Sequence, residues 1–347
     1  MKRKDFLMNT AAGMASVALA PFARGTQGNK LAADPNVDES AMIPSYLKKG
    51  DKIGITSPAG YITREEIQPA IEQMESWGYK VEIGDTIGKR DFTFGGTDED
   101  RAADMQQMLD SRYLQAIMCA RGGYGLVRIV DQLKWEKFKK HPKWVIGFSD
   151  ITVLHSHIHQ NTGVATIHSK MCNSFPQDWS KADTEQMATI NSIRNALAGE
   201  KLKYDFPFNS RNRPGNASGK LVGGNLKTLE SLAASGSDIN TDGKILFVED
   251  TGEYMYSIDR MFWNLKRSGK LSNLKGLVVG GFKVKVDEGG DEFGKTLQDV
   301  VMEKVRSYPY PVCFDFPVGH QKNNFALKCG VNHNLNVELQ QCSLTEL

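Results

Sequence analysis

From Lys52 onward, short apolar runs alternate with segments of helical periodicity. KIGITSPAG reads as a strand closing in a Ser/Pro/Gly turn, and REEIQPAIEQMESWG as a helix that contains Pro69 and stops at Gly78. YKVEIGD, LQAIMCA, KWVIGFS and GVATIHS read as further strands. TDEDRAADMQQMLDS, GLVRIVDQL and DITVLHSHIHQ read as the helices between them. Repeated strand–helix units predict an α/β fold, a parallel sheet with helices on both faces. In such sheets function collects in the loops at the carboxyl ends of the strands. SPAG, RGGYG and GFSD all fall there.

The alternation then breaks. KADTEQMATINSIRNALAGE is helical, and YDFPFNSRNRPGNASG is a Pro/Gly/Asn-rich connection, so a domain boundary is expected at 191–215, between domains at 43–190 and 216–347. The second half is more mixed. GKILFVEDTGE reads as a buried strand ending in acids, SIDRMFWNLKRSG is amphipathic, and the tail holds several short strands. A chain of 347 residues has material for one large or two medium domains.

A formal net charge of +2 gives no electrostatic case for nucleic acid. The five cysteines form neither a CxxC pair nor a zinc-finger spacing, and most of them read as buried free thiols. Residues 1–24 have a basic start, an Ala-rich apolar stretch and small residues near Ala18 to Ala20, the layout of an export signal; KRKDFL faintly resembles the twin-arginine pattern. The apolar stretch is too short and interrupted for a stable membrane span. Residues 25–42 are polar and read as a linker.

Single residues carry little chemistry by themselves. Glu249 follows the apolar run ILFV, a place where carboxylates either serve a site or pair structurally. His320 lies on a Pro/Gly loop. His155 and His159 would share a helix face, but no HExxH acid and no third ligand accompany them, so no metal is expected. The glycine pairs in LVGGN and VVGGF lack phosphate-binding spacing. Ser149 in GFSD could be a strained serine turn, although Ser149 and Asp150 also make an ordinary cap for the helix that follows.

In order, the stretches KKGDKIGITSPAG, ARGGYG, WVIGFSDITVLH, LVGGNL, ILFVEDTGE and FPVGH are informative together. Over residues 43 to 340 the chain resembles the LD-carboxypeptidase family, which includes microcin-C-type immunity peptidases. The resemblance implies an N-terminal α/β domain with a parallel sheet and a C-terminal α/β domain of swivelling type, with the site at their interface. It also implies a homodimer and serine-type removal of the terminal D-Ala from murein tetrapeptides, without metal or organic cofactor. An exported copy would meet that peptide in the periplasm or cell envelope.

The family's acid falls on Glu249 and its histidine on His320. Its serine is expected directly after the GGYG turn, at Leu126. Gly123 and Val127 would then offer backbone N–H groups to an oxyanion, with Tyr124 and Ser149 beside the substrate. Leucine has no proton to give up and no lone pair with which to attack a carbonyl. Four possibilities stay open on this reading. Hydrolysis could proceed through Ser149 or Thr152 in the next strand-end loop; the chain could be an inactive binder of murein peptides; it could be a scaffold; or Leu126 could be a substitution. Leu126→Ser is expected to raise turnover.

Overall fold

Five strands of the first half pair side by side in a computed structural model that describes residues 42–347. The strands β1 (Lys52–Thr56), β2 (Lys80–Ile83), β3 (Leu114–Cys119), β4 (Trp144–Gly147) and β5 (Thr166–His168) are parallel, in the order β5-β4-β3-β1-β2. The expected export signal, and the linker up to residue 41, lie outside the described residues. All of β4, and nearly all of β1 and β3, is buried, as sheets covered on both faces require. Edge strand β2 alternates between exposed and half-buried residues. The covering helices start where the sequence places caps. Thr63 and Thr97 each close a capping box, on Glu66 and Asp100.

One expected helix does not form. GLVRIVDQL makes two short 3-10 turns, Leu126–Arg128 and Val130–Gln132. Three β-branched residues, Val127, Ile129 and Val130, weaken helix propagation there. The N–H of Leu126 is also taken from outside, by Asp150 Oδ2 at 2.9 Å.

The second sheet contains β6 (Lys203–Pro207), β7 (Gly215–Asn225), β8 (Ile245–Glu253), β9 (Gly276–Val284) and β10 (Val312–Cys313). The tail supplies β11 (Leu327–Cys329), β12 (Asn332–Val337) and β13 (Gln341–Glu346). The order is β10-β9-β8-β7-β12-β13-β6, with β7 to β10 parallel and the other three antiparallel. Strand β11 instead crosses back to pair antiparallel with β5 of the first sheet.

Residues 191–215 are therefore more than a connection. They hold the end of the helix Thr184–Ala198 and the whole of β6. Strand β6 keeps its place by alternation: Phe206 is buried and Tyr204 half-buried, whereas Lys203, Asp205 and Pro207 face solvent.

The helix Thr152–Thr162 clasps the second half of the chain. Thr152 Oγ1 accepts the Asn225 N–H at 3.0 Å, His157 Nδ1 meets Ser237 Oγ at 2.8 Å, and Asn161 Nδ2 donates to the Gly236 carbonyl at 2.8 Å. These contacts set the helix that follows β4 against the carboxyl end of β7, where Asn225 pairs with Glu249 of β8. Among the described residues, no helix is long and apolar enough to cross a membrane. All five cysteines are free and buried, as expected.

Candidate active site

The buried run Ile245–Val248 of β8 delivers Glu249 into the interior, where its side chain has no exposure. A carboxylate so placed needs partners. His320 supplies two: its backbone N–H donates to Glu249 Oε2 at 3.2 Å, and its ring Nδ1 lies 2.6 Å from the same oxygen. A ring nitrogen facing a carboxylate carries the proton, which leaves Nε2 as a basic nitrogen on the opposite edge of the ring. Close approach of the loop depends on Gly319. Its φ is +103°, and a Cβ there would come within 2.4 Å of the Glu249 Cβ.

The His320 ring also packs on Phe148, with centroids 4.9 Å apart. The next residue is Ser149. It links β4 to the 3-10 turn Ser149–Ile151 and the helix Thr152–Thr162, with φ at +63°. For a residue with a side chain, that left-handed conformation costs about 1–2 kcal/mol. A strand, a strained serine turn and a helix are the arrangement that lifts a nucleophile clear of an α/β sheet.

The capping role expected for Ser149 and Asp150 is not found. Neither the 3-10 turn nor the helix has a side-chain cap, and the Asp150 carboxylate goes to Leu126 instead. Ser149 Oγ has no hydrogen-bond partner among the described residues, and Ser149 is only half-buried. Gly122 makes room for it: a Cβ there would lie 3.0 Å from the Ser149 Cβ and 3.2 Å from its Oγ.

Leu126 points elsewhere. Its side chain has no exposure and belongs to an apolar cluster with Met105, Ile129, Val130, Phe148 and Ile151. A position sealed in the core cannot meet a substrate, so the placement of the nucleophile at Leu126 is corrected on steric grounds. The turn is held down from below. Buried Arg101 donates through Nη1 to the carbonyls of Pro58 at 2.8 Å and Gly125 at 3.0 Å. Burial lifts the Asp150 carboxyl to about 6, against the pull of the Leu126 N–H.

Of the other residues expected around the turn, Val127 packs against the core and Tyr124 is exposed beside Phe94. Gly123 adopts φ +109° against Gly60. No regular helix begins here, so an oxyanion site at a helix N-terminus has no basis at Val127.

The three histidines of the clasping helix are used separately. His155 Nε2 contacts the Gly147 carbonyl at 2.9 Å, and burial brings its pKa to about 4. His157 is engaged with Ser237, and burial likewise brings His159 to about 4. No group of three or more metal-ligating side chains gathers among the described residues.

Sequence reasoning missed three residues at this site. Phe148 bridges the serine turn to His320. His168, buried at the end of β5, packs its ring on Phe148 and Phe247, and burial holds its pKa well below the ordinary range. Lys170 contacts the His320 loop, its Nζ 2.6 Å from the Gln321 carbonyl. Only Phe148 left a trace in the sequence, as a neighbour of the serine in GFSD.

Residues 53–169 match the LD-carboxypeptidase N-terminal domain, and residues 218–335 match the LD-carboxypeptidase C-terminal domain. A probable murein peptide carboxypeptidase of Bacillus subtilis is 33% identical over 295 residues, covering 84% of this chain and 91% of that protein. The murein tetrapeptide carboxypeptidase of Pseudomonas aeruginosa is 28% identical over 285 residues, covering 80% and 91%. Among solved structures, a muramoyltetrapeptide carboxypeptidase from Oxalobacter formigenes aligns with a TM-score of 0.75 at 26% identity, covering 85% of this chain and 98% of that one. The microcin C7 self-immunity protein MccF, in complex with glutamyl sulfamoyl guanosine, shares the fold with a TM-score of 0.76 at 22% identity, covering 89% and 99%. The chain belongs to the LD-carboxypeptidase family.

Proposed function

We propose that this protein is a serine-type LD-carboxypeptidase that releases the terminal D-Ala of murein tetrapeptides, with Ser149 as nucleophile, His320 as base and Glu249 as the acid that orients it. One observation carries the reading. A serine strained to φ +63°, its hydroxyl without a hydrogen-bond partner among the described residues, follows the residue that packs on a glutamate-bound histidine.

The chemistry follows from the positions. His320 Nε2 takes the Ser149 hydroxyl proton as Oγ attacks the carbonyl carbon of the third residue. Glu249 holds the ring through Nδ1 and stabilises the imidazolium that forms. The oxyanion faces the N–H of Asp150, the residue after the nucleophile, and the Gly122–Gly123 turn. When the C–N bond breaks, Nε2–H protonates the departing D-Ala amine. Water then attacks the acyl ester with His320 again as base, and Ser149 recovers its proton as the tripeptide leaves.

The test is D-Ala release from a purified murein tetrapeptide, followed by a coupled D-amino-acid assay. Release is expected from the unmodified protein, and an intact tetrapeptide after prolonged incubation removes the proposal. Export to the envelope and a homodimeric state belong to the same reading. Envelope-fraction protein should begin between Ala20 and Lys30, which an intact Met1 chain in the cytosol contradicts. Light scattering should report twice the chain mass, and a monomer mass removes the dimer.

A further inference from the structure

A carboxypeptidase has to recognise a negatively charged chain end, and the ammonium of Lys170 lies beside the site to do so. The Lys170 ammonium donates to the backbone carbonyl of Gln321 at 2.6 Å and lies 5.7 Å from the Phe148 ring centroid. The two groups it touches therefore belong to the His320 loop and to the residue before Ser149. Lys170 is half-buried and has no carboxylate within salt-bridge distance among the described residues. A half-buried cation with no carboxylate in direct contact gains from an anion that arrives to pair with it.

The space next to it is open. A cavity of about 310 Å³ is lined by Lys170, Ser174, Gln186, Thr189, Ile190 and Lys322. Of its two lysines, Lys322 is already committed to Asp183 at 2.5 Å and Glu185 at 3.8 Å. Only Lys170 is left to receive an anion from outside. Burial lowers the pKa of Lys170, nearby Lys283 lowers it further, and Glu249 raises it. Lys283 thus adds a second cation to the field there, and Glu249 opposes it.

We propose that Lys170 is the carboxylate-binding residue of this site, gripping a substrate carboxylate with Nζ in the adjoining cavity and so fixing which peptides are accepted. This rests on the murein-peptide reading above. Two carboxylates of such a peptide sit on the residues that flank the scissile bond: the C-terminal one on D-Ala, and the side-chain one where the third residue is a diaminopimelate. A charge-assisted hydrogen bond to either gives both affinity and selectivity for the ionised form.

Binding measured by titration calorimetry on Ser149→Ala protein separates this inference from turnover. Three probes are used: the diaminopimelate tetrapeptide, its C-terminal carboxamide, and the tetrapeptide with L-lysine as third residue. The parent is expected to bind the first peptide about 10- to 100-fold more tightly than one of the other two. The weaker analogue identifies which carboxylate is held. Adding Lys170→Met should remove that preference, and Lys170→Arg should keep most of it. Lys170→Gln, which retains much of the stem, replaces the methionine variant if the latter does not fold.

A preference that survives loss of the ammonium overturns the inference, as does a parent that binds all three peptides alike or none of them. Lys170-dependent binding without turnover in the unmodified protein would sink the hydrolase reading alone. Turnover with Lys170-independent binding would sink only the carboxylate site.

Discussion

Ser149→Ala is expected to lower kcat for D-Ala release by about 10⁴- to 10⁶-fold, the scale of losing a serine nucleophile while binding and oxyanion groups remain. The same substitution should leave the fold almost untouched. Ser149 Oγ makes no hydrogen bond among the described residues, and alanine meets a backbone demand at φ +63° much like that on serine. A change of no more than about 0.5 kcal/mol in stability follows. Kinetics and thermal melting on one sample separate the two effects. An alanine variant that retains turnover within tenfold of the parent would falsify the assignment of the nucleophile, whatever the melting temperature.

Leu126→Ser should do the opposite. Leu126 is fully enclosed in the apolar cluster of the first half, so the exchange removes a buried aliphatic side chain and leaves a hydroxyl in its place. Truncating buried leucines costs about 2–5 kcal/mol, and an unpaired buried hydroxyl adds roughly 1–3 kcal/mol. Against a total stability of about 5–15 kcal/mol, the variant should unfold at clearly lower denaturant concentration. It should gain no turnover, because the new oxygen lies in the core. A denaturation midpoint close to the parent's, together with faster D-Ala release, would restore Leu126 as the nucleophile position and return Ser149 to a minor role.

Much of the first sheet was legible because the physics that builds it is local. Apolar runs of strand length followed by capped amphipathic segments are enough to specify β1 to β5, and Thr63 and Thr97 mark helix starts without reference to anything distant. Glu249 and His320 were legible too, one ending an apolar strand and the other on a Pro/Gly loop in a family-like order. Misreadings fell where a distant partner outweighs a local preference. GLVRIVDQL has helical spacing, but Asp150 draws the Leu126 N–H away across 24 residues of chain. YDFPF reads as linker until β13 pairs with it from the far end of the sequence. Ser149 and Asp150 look like a helix cap until their side chains prove to have other uses.

By itself, the sequence determined the alternation that makes a parallel sheet, the strand-end loops where chemistry gathers, and an acid and a histidine suited to work as a pair. Periodicity, capping and burial preference act over a few residues, so they can be read from one segment at a time. Only the tertiary structure decided that Phe148, the neighbour of Ser149, packs on His320, why Leu126 is sealed away, and that Lys170 comes to rest on the histidine loop. Each of those depends on backbone dihedrals and on contacts between segments distant in the chain. The bond from Asp150 to Leu126 joins two strand-end loops of the first half, and the packing of Phe148 on His320 exists only once both sheets have formed and met.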